Sequence, residues 1–381
     1  MNSPAHQEEL EVLVERGRHM VITLNRPGTI NALTTEMIRL IRHALEEALA
    51  EDRFRFVLIQ GAGSRGFCAG GDVKRLAKAV EENDFGTAEQ FFREEYSLDL
   101  LIHRYPKPVI VIADGITMGG GLGLSAGADV VVATEQSLMA MPETGIGFFP
   151  DVGATGWMFL KCPKGYPEYL GLTGYEMKGQ ECVRIGLASG LMRRDQLPVM
   201  RDALVNYPWR ISSDKSVATR DLKAYLTSFF DKEIPSIPET DAWVKGHFSG
   251  KLCIKEIMTS LSQRIPKDPL CRDTHRRLVE SSPTSLVLTL GLLRRNEGRP
   301  LEEVFATEAR AAGFMIRHPD YFEGVRARLL EKNGHPRWHP PTIDEVRSDE
   351  LFTFLRTRDN PESTGRIASV RRRQNGRKEI D

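Results

Sequence analysis

Three apolar, β-branched runs most constrain how this chain can fold: FRFVLIQ (54–60), PVIVIA (108–113) and VVVAT (130–134). A strand that is apolar on nearly every residue needs cover on both of its faces. Segments with helical periodicity separate these runs. TTEMIRLIRHALEEALAED has apolar residues at 37, 38, 41, 45 and 49 with Thr34 as N-cap, and further helices are predicted at 73–82, 87–104 and 121–127. Strands recurring between helices predict an α/β architecture with parallel or mixed sheets. Ahead of them, EVLVERGRHMVITLN reads as a hairpin that turns at Arg16 to Arg18.

Beyond residue 165 strand signals become sparse. GLTGYEMKGQECVRIGLASGLM reads as helix, turn and short strand, and from 251 onward helical patterns dominate. The expected organisation is a core over 1–205, a proline-broken connector over 206–240 around one short helix at 218–230, a helical region over 241–355 and a basic tail over 356–381. The last sixteen residues hold six basic and two acidic side chains and little apolar content, so the tail is expected to be disordered.

Composition narrows the partners. Basic and acidic residues balance at 52 each, which provides no global field for nucleic acid or for an anionic membrane. No apolar run approaches the ~18 residues that a membrane span needs. The N-terminal stretch lacks a secretory apolar core and is acidic rather than arginine-rich. Five cysteines (68, 162, 182, 253 and 271) form no CxxC pair, which suits reduced thiols in a cytoplasm, and no metal is expected. A homo-oligomer stays open.

Three glycine-broken stretches can carry chemistry. GAGSRGFCAGGDVKRL (61–76) joins a buried strand to a helix, so it either frees backbone N–H groups for an anion or forms a tight turn without ligand. DGITMGGGLGLSAGAD (114–129) lacks the lysine of a phosphate-binding loop. Gly121, Gly123 and Ala126 match a dinucleotide fingerprint, whereas three successive glycines suit a backbone that approaches a substrate and donates the N–H of Gly120. MPETGIGFFPDVG (141–153) sets Glu143 and Asp151 among Met139, Met141, Ile146, Phe148 and Phe149. Lone loop acids are usually solvated, but apolar surroundings would raise their pKa and suit them to acid–base work. His19, His43 and His103 read as surface positions, and Asn25, Arg26 and Asn31 as residues fixing a turn and a helix start.

Together ITLNRPGTINAL, GFCAGGDV, KPVIVIADGITMGGG and MPETGIGFFPDVG resemble the crotonase, or enoyl-CoA hydratase/isomerase, superfamily. FFREEY, AMPET, FPDVG, SPTSL and YFEGVRARLLEKN resemble its 3-hydroxyisobutyryl-CoA hydrolase branch. The resemblance covers residues ~10 to ~350. It implies a crotonase-like spiral of ββα units with a mostly helical C-terminal region. It also implies an oxyanion hole of two backbone N–H groups, at Gly71 and Gly120, around the thioester carbonyl. The branch's acids match Glu95, Glu143 and Asp151, with Glu143 and Asp151 catalytic, and Glu95 and Gly120 binding the substrate. Hydratases carry an acid in a GGGxE context, and that position here is Gly123.

The expected activity is therefore hydrolysis of a short β-hydroxyacyl-CoA, 3-hydroxyisobutyryl-CoA first, a step of valine catabolism. CoA is then part of the substrate and no cofactor is needed. The competing readings are an enoyl-CoA hydratase or isomerase of the same fold, and a catalytically silent structural homologue suggested by the basic tail alone.

Overall fold

The computed structural model describes residues 10–207, 209 and 214–353; the tail read at 356–381 lies outside the described residues. The apolar runs form the centre of a sheet ordered β1 (Val12–Arg16), β2 (Met20–Leu24), β3 (Val57–Gly61), β5 (Val109–Ala113), β7 (Val130–Thr134) and β10 (Gly190–Met192). β1 and β2 are the antiparallel hairpin, in register Val12 to Leu24, and every later pairing is parallel. The period of two along a strand explains why these segments lack polar residues. Met20, Ile22, Val57, Ile59, Val109, Val111 and Val131 enter the main core, while Val21, Leu58, Ile110, Ile112, Val130 and Val132 enter a second one.

Helices cover both faces. Thr35–Ala50 starts where Thr34 Oγ1 accepts the N–H of Met37 (3.0 Å), and it buries Met37, Ile38, Ile41 and Leu45 in the main core. The helix Phe85–His103 packs beside it. On the other face, Leu197–Asn206 and Lys215–Thr227 bury Met200, Leu204, Leu222 and Leu226. His19 belongs to that face. It is buried and stacked on Phe56 with ring centroids 3.9 Å apart, not at the surface where its strand position alone puts it.

A second sheet, ordered β4 (Gly66–Cys68), β6 (Ile116–Met118), β8 (Leu138–Ala140) and β9 (Met177–Lys178), has no counterpart in the sequence reading. Its strands have two or three residues, too few for a periodic signal, and they lie inside or beside glycine turns. β4, β6 and β8 run parallel. After the core, Pro283–Asn296, capped by Ser282, and the helices Leu301–Met315 and Pro319–Val325 close over the same end of the molecule.

Asn31 ties the first strands together. It is fully buried at a left-handed φ of 53°, where asparagine is tolerated better than most residues. Its Oδ1 accepts the N–H of Arg26 (2.9 Å), and its Nδ2 donates to the carbonyls of Ala62 and Phe67 (both 3.0 Å). Asn31→Ala would strand three backbone groups, the Phe67 carbonyl buried and the other two part-buried, and keep the unfavourable φ. The expected loss is about 2–4 kcal/mol in urea unfolding.

Candidate functional site

Three parallel strands of three residues each deliver three loops to one place. β4 runs into Gly70 and Gly71, β6 into Gly119 and Gly120, and β8 into Pro142 and Glu143. Because the strands are parallel, their carboxyl ends lie on one side, where open α/β sheets bind ligands. A cavity of about 580 Å³ opens there, and Gly71, Gly120, Glu95, Glu143 and Asp151 all line it. All five residues singled out in the sequence thus share one cavity. Phe91, Phe92, Ile146 and Phe148 form its apolar wall, whereas Met139, Met141 and Phe149 sit in the core behind it.

The glycine turns present backbone to the cavity. Leu33 donates to the carbonyl of Gly70 and accepts from the N–H of Asp72, which directs the Gly71 N–H away from Leu33. Gly120 is the first residue of the helix Gly120–Ala126, so its N–H has no partner within that helix. Gly119, at φ 49° and ψ −121°, holds a conformation that side chains rarely adopt. Carboxylates press against this backbone: a Cβ added at Gly119 would stand 2.9 Å from Glu143 Oε1, and one at Gly120 would collide with Glu95 Oε1.

Asp151 is held by groups far away in the chain. The Tyr96 hydroxyl donates to Asp151 Oδ2 at 2.7 Å. The two residues after it both have positive φ, 53° at Val152 and 79° at Gly153. For a β-branched valine this is strained, at a cost of order 1–3 kcal/mol. Three contacts hold the turn there. Trp157 Nε1 donates to the Val152 carbonyl (3.0 Å), and the Gly153 and Thr155 N–H groups donate to Glu308 (2.6 and 3.1 Å). Glu308 is wholly buried on Leu301–Met315 and also accepts the Thr155 hydroxyl.

Burial dominates the electrostatics. Desolvation, then the charge of Asp151, pushes Glu143 well above the usual carboxyl range. Desolvation, then Asp151, Asp99 and Glu143, does the same to Glu95. Asp151 rises from 3.8 to about 7, restrained by the hydrogen bond from Tyr96. Glu308 rises to about 8 from burial, despite its hydrogen bonds. A carboxyl whose pKa is raised by folding binds more protons folded than unfolded. Asp151 therefore lowers stability progressively as pH climbs from about 4 to about 7.

Sequence reasoning missed Tyr96, Asp99, Val152, Glu308 and Tyr321. Asp99 had a signal, since it follows Glu95 by four residues on one helix face. Its carboxyl is fully buried, with Oδ2 placed 2.8 Å from where a Cβ of residue 123 would stand, and Val152 Cβ is 2.7 Å from the same point. Position 123 is therefore filled from outside by the Asp151 turn and by Asp99.

This fold has known counterparts. The family model described as enoyl-CoA hydratase/isomerase matches residues 19–355, and the chain belongs to that family. The 3-hydroxyisobutyryl-CoA hydrolase, mitochondrial, of Mus musculus is 37% identical over 361 residues, covering 92% of this chain and 90% of its own. The protein of the same name from Homo sapiens is 37% identical over 350 residues, covering 91% and 89%. Among solved structures, a carnitinyl-CoA dehydratase from Mycobacterium thermoresistibile aligns with a TM-score of 0.81 and 32% identity, over 93% of this chain and 98% of its own. An enoyl-CoA hydratase from Rhodobacter sphaeroides 2.4.1 gives 0.80 and 30%, over 91% and 97%.

The packing at 123 has a direct consequence. Gly123→Glu does not restore a hydratase acid, because its Cβ meets Val152 and Asp99 before any carboxyl reaches the cavity. The expected outcome is a loss of several kcal/mol in chemical unfolding with no gain in enoyl-CoA hydration. A stable variant that hydrates crotonyl-CoA would contradict this packing.

Proposed function

We propose that this protein hydrolyses the thioester of a short β-hydroxyacyl-CoA, with 3-hydroxyisobutyryl-CoA as substrate. One observation carries the reading. The two glycines Gly71 and Gly120 and two carboxyls, Glu143 and Asp151, line one cavity, while position 123 is packed shut. The names of the mouse and human relatives support the same reaction.

In this mechanism the thioester carbonyl oxygen lies between the N–H groups of Gly71 and Gly120. They stabilise the negative charge that develops when water attacks. Asp151, titrating near neutrality, takes the proton of that water as general base. Glu143, whose proton affinity burial and the charge of Asp151 raise, gives a proton to the departing CoA sulfur, so environment divides the labour between two carboxyls. Attack by Glu143 itself, through an anhydride, would require it to be ionised in a site that disfavours the charge. Arg277 and Arg328 line the same cavity and offer cations to the phosphates of CoA. CoA leaves as product and the reaction calls on no cofactor.

Hydration of a C=C bond is the second reading, favoured by the names of the two solved structures. An acyl-CoA panel separates the two. Free thiol is expected from 3-hydroxyisobutyryl-CoA, with no loss of enoyl absorbance from crotonyl-CoA at the same enzyme level. Rapid hydration without thiol release would overturn the hydrolase reading.

The free cysteines at 68, 162, 182, 253 and 271 suit a reducing compartment, and we place the protein in the cytoplasm on that ground. The mitochondrial location belongs to the names of the relatives. No helix among the described residues is long and apolar enough to cross a membrane.

Glu143→Gln and Asp151→Asn keep shape and lose proton transfer, so each should lower kcat by roughly 10²–10⁴-fold with little change in KM. The double variant should lose far less than the product of the two, since groups acting in one step are not additive. In the unmodified enzyme, kcat should rise as pH passes about 7 and Asp151 loses its proton. Asp151→Asn should abolish that rise; its persistence would move the base elsewhere.

A further inference from the structure

The cavity holds a polar group that the mechanism above does not use. Tyr321 enters it from Pro319–Val325 and is 1% exposed, with its ring 5.6 Å from that of Phe148. Its hydroxyl has no hydrogen-bond partner among the described residues. Buried phenols nearly always have one, and an orphaned hydroxyl costs about 1–3 kcal/mol. Glu95 Oε1, in the same cavity, is equally buried and equally without partner.

The two orphans are complementary in type. Burial, then the charges of Asp151 and Glu95, pushes the Tyr321 phenol up, so it remains a neutral donor. Glu95 shares the raised proton affinity of the buried acids, and the carbonyl oxygen of a carboxyl accepts whether or not the other oxygen carries a proton. A phenolic donor and a carboxyl oxygen as acceptor match what a single alcohol presents, one O–H to give and lone pairs to receive. A methyl group in that place would satisfy neither.

We infer that Tyr321 donates a hydrogen bond to the oxygen of the acyl β-hydroxyl, completing a grip in which Glu95, the acid that the family resemblance assigns to that hydroxyl, accepts from its O–H. The inference rests on the thioesterase reading above and adds Tyr321 as a specificity-determining residue. It accounts for two of the polar atoms left unsatisfied at this cavity, beside Glu143 Oε2, which the proton transfer uses: the substrate completes them. A site built in this way rejects the analogue without the hydroxyl, because both atoms are then buried unpaired.

The test is Tyr321→Phe, assayed by thiol release with 3-hydroxyisobutyryl-CoA and isobutyryl-CoA. The ratio of their kcat/KM values is expected to fall roughly tenfold, the worth of one neutral hydrogen bond. Because the hydroxyl has no partner among the described residues, the melting temperature should hold or rise. An unchanged ratio, with both substrates slowed alike, would assign Tyr321 to packing or to the thioester carbonyl and overturn the inference. Loss of folding would overturn it too, by showing that the hydroxyl has an internal partner. If the unmodified enzyme released no thiol from either substrate, the thioesterase reading itself would fall.

Discussion

The parallel pairing of β4, β6 and β8 is the constraint on which the site depends. Each strand has only three residues, so there is little slack between the hydrogen-bonded ladder and the loop that follows it. The pairing of Ile116 with Gly66 and with Leu138 places Gly71, Gly120 and Glu143 at one level of the molecule. A Cβ at Gly66 would stand 2.6 Å from the backbone of Ile116, so the strand can approach only because that side chain is missing. A shift of one residue would turn every side chain of the strand to the opposite face. The larger sheet acts as the rigid backing for this arrangement, its two cores buried by helices on either side.

Against that backing the protein gathers five buried carboxyls: Glu95, Asp99, Glu143, Asp151 and Glu308. Burial pushes all of them toward the protonated form, and the charge of Asp151 adds to it for the other four. Such a cluster costs stability; its use lies in setting proton affinities near working pH. The protein distinguishes members of the cluster by their hydrogen bonds. Asp151 has Tyr96, and Glu308 has two backbone N–H groups and a hydroxyl, whereas both oxygens of Asp99 are without partner among the described residues.

What the sequence made legible follows the range of each signal. The hairpin, the Thr34 cap and the β-branched runs are local, and the structure has them where the periodicity puts them. The glycine turns at 70–71 and 119–121 and the acids at 143 and 151 were legible as motifs, because their chemistry is carried by contiguous residues. The small sheet was hidden because three-residue strands have no period. Glu308 was hidden for a different reason: it acts on Gly153 across 155 positions, and nothing in LEEVFATEAR marks one glutamate as buried. His19 was misplaced because its cover, Phe56 and the helices beyond residue 196, comes from elsewhere in the chain.

The brace from Glu308 to the Asp151 turn also orders events in time. A chain is synthesised from its N-terminus at about 5–20 residues per second, and its early segments emerge first. Asp151, Gly71 and Gly120 therefore leave the ribosome well before Glu308 or Tyr321. Until Leu301–Met315 docks, the N–H groups of Gly153 and Thr155 lack their acceptor, and the strained Val152 has no brace from that side. The loop bearing Asp151 thus becomes competent only after Leu301–Met315 has been made, so that its reactivity waits on a segment synthesised long after the loop itself.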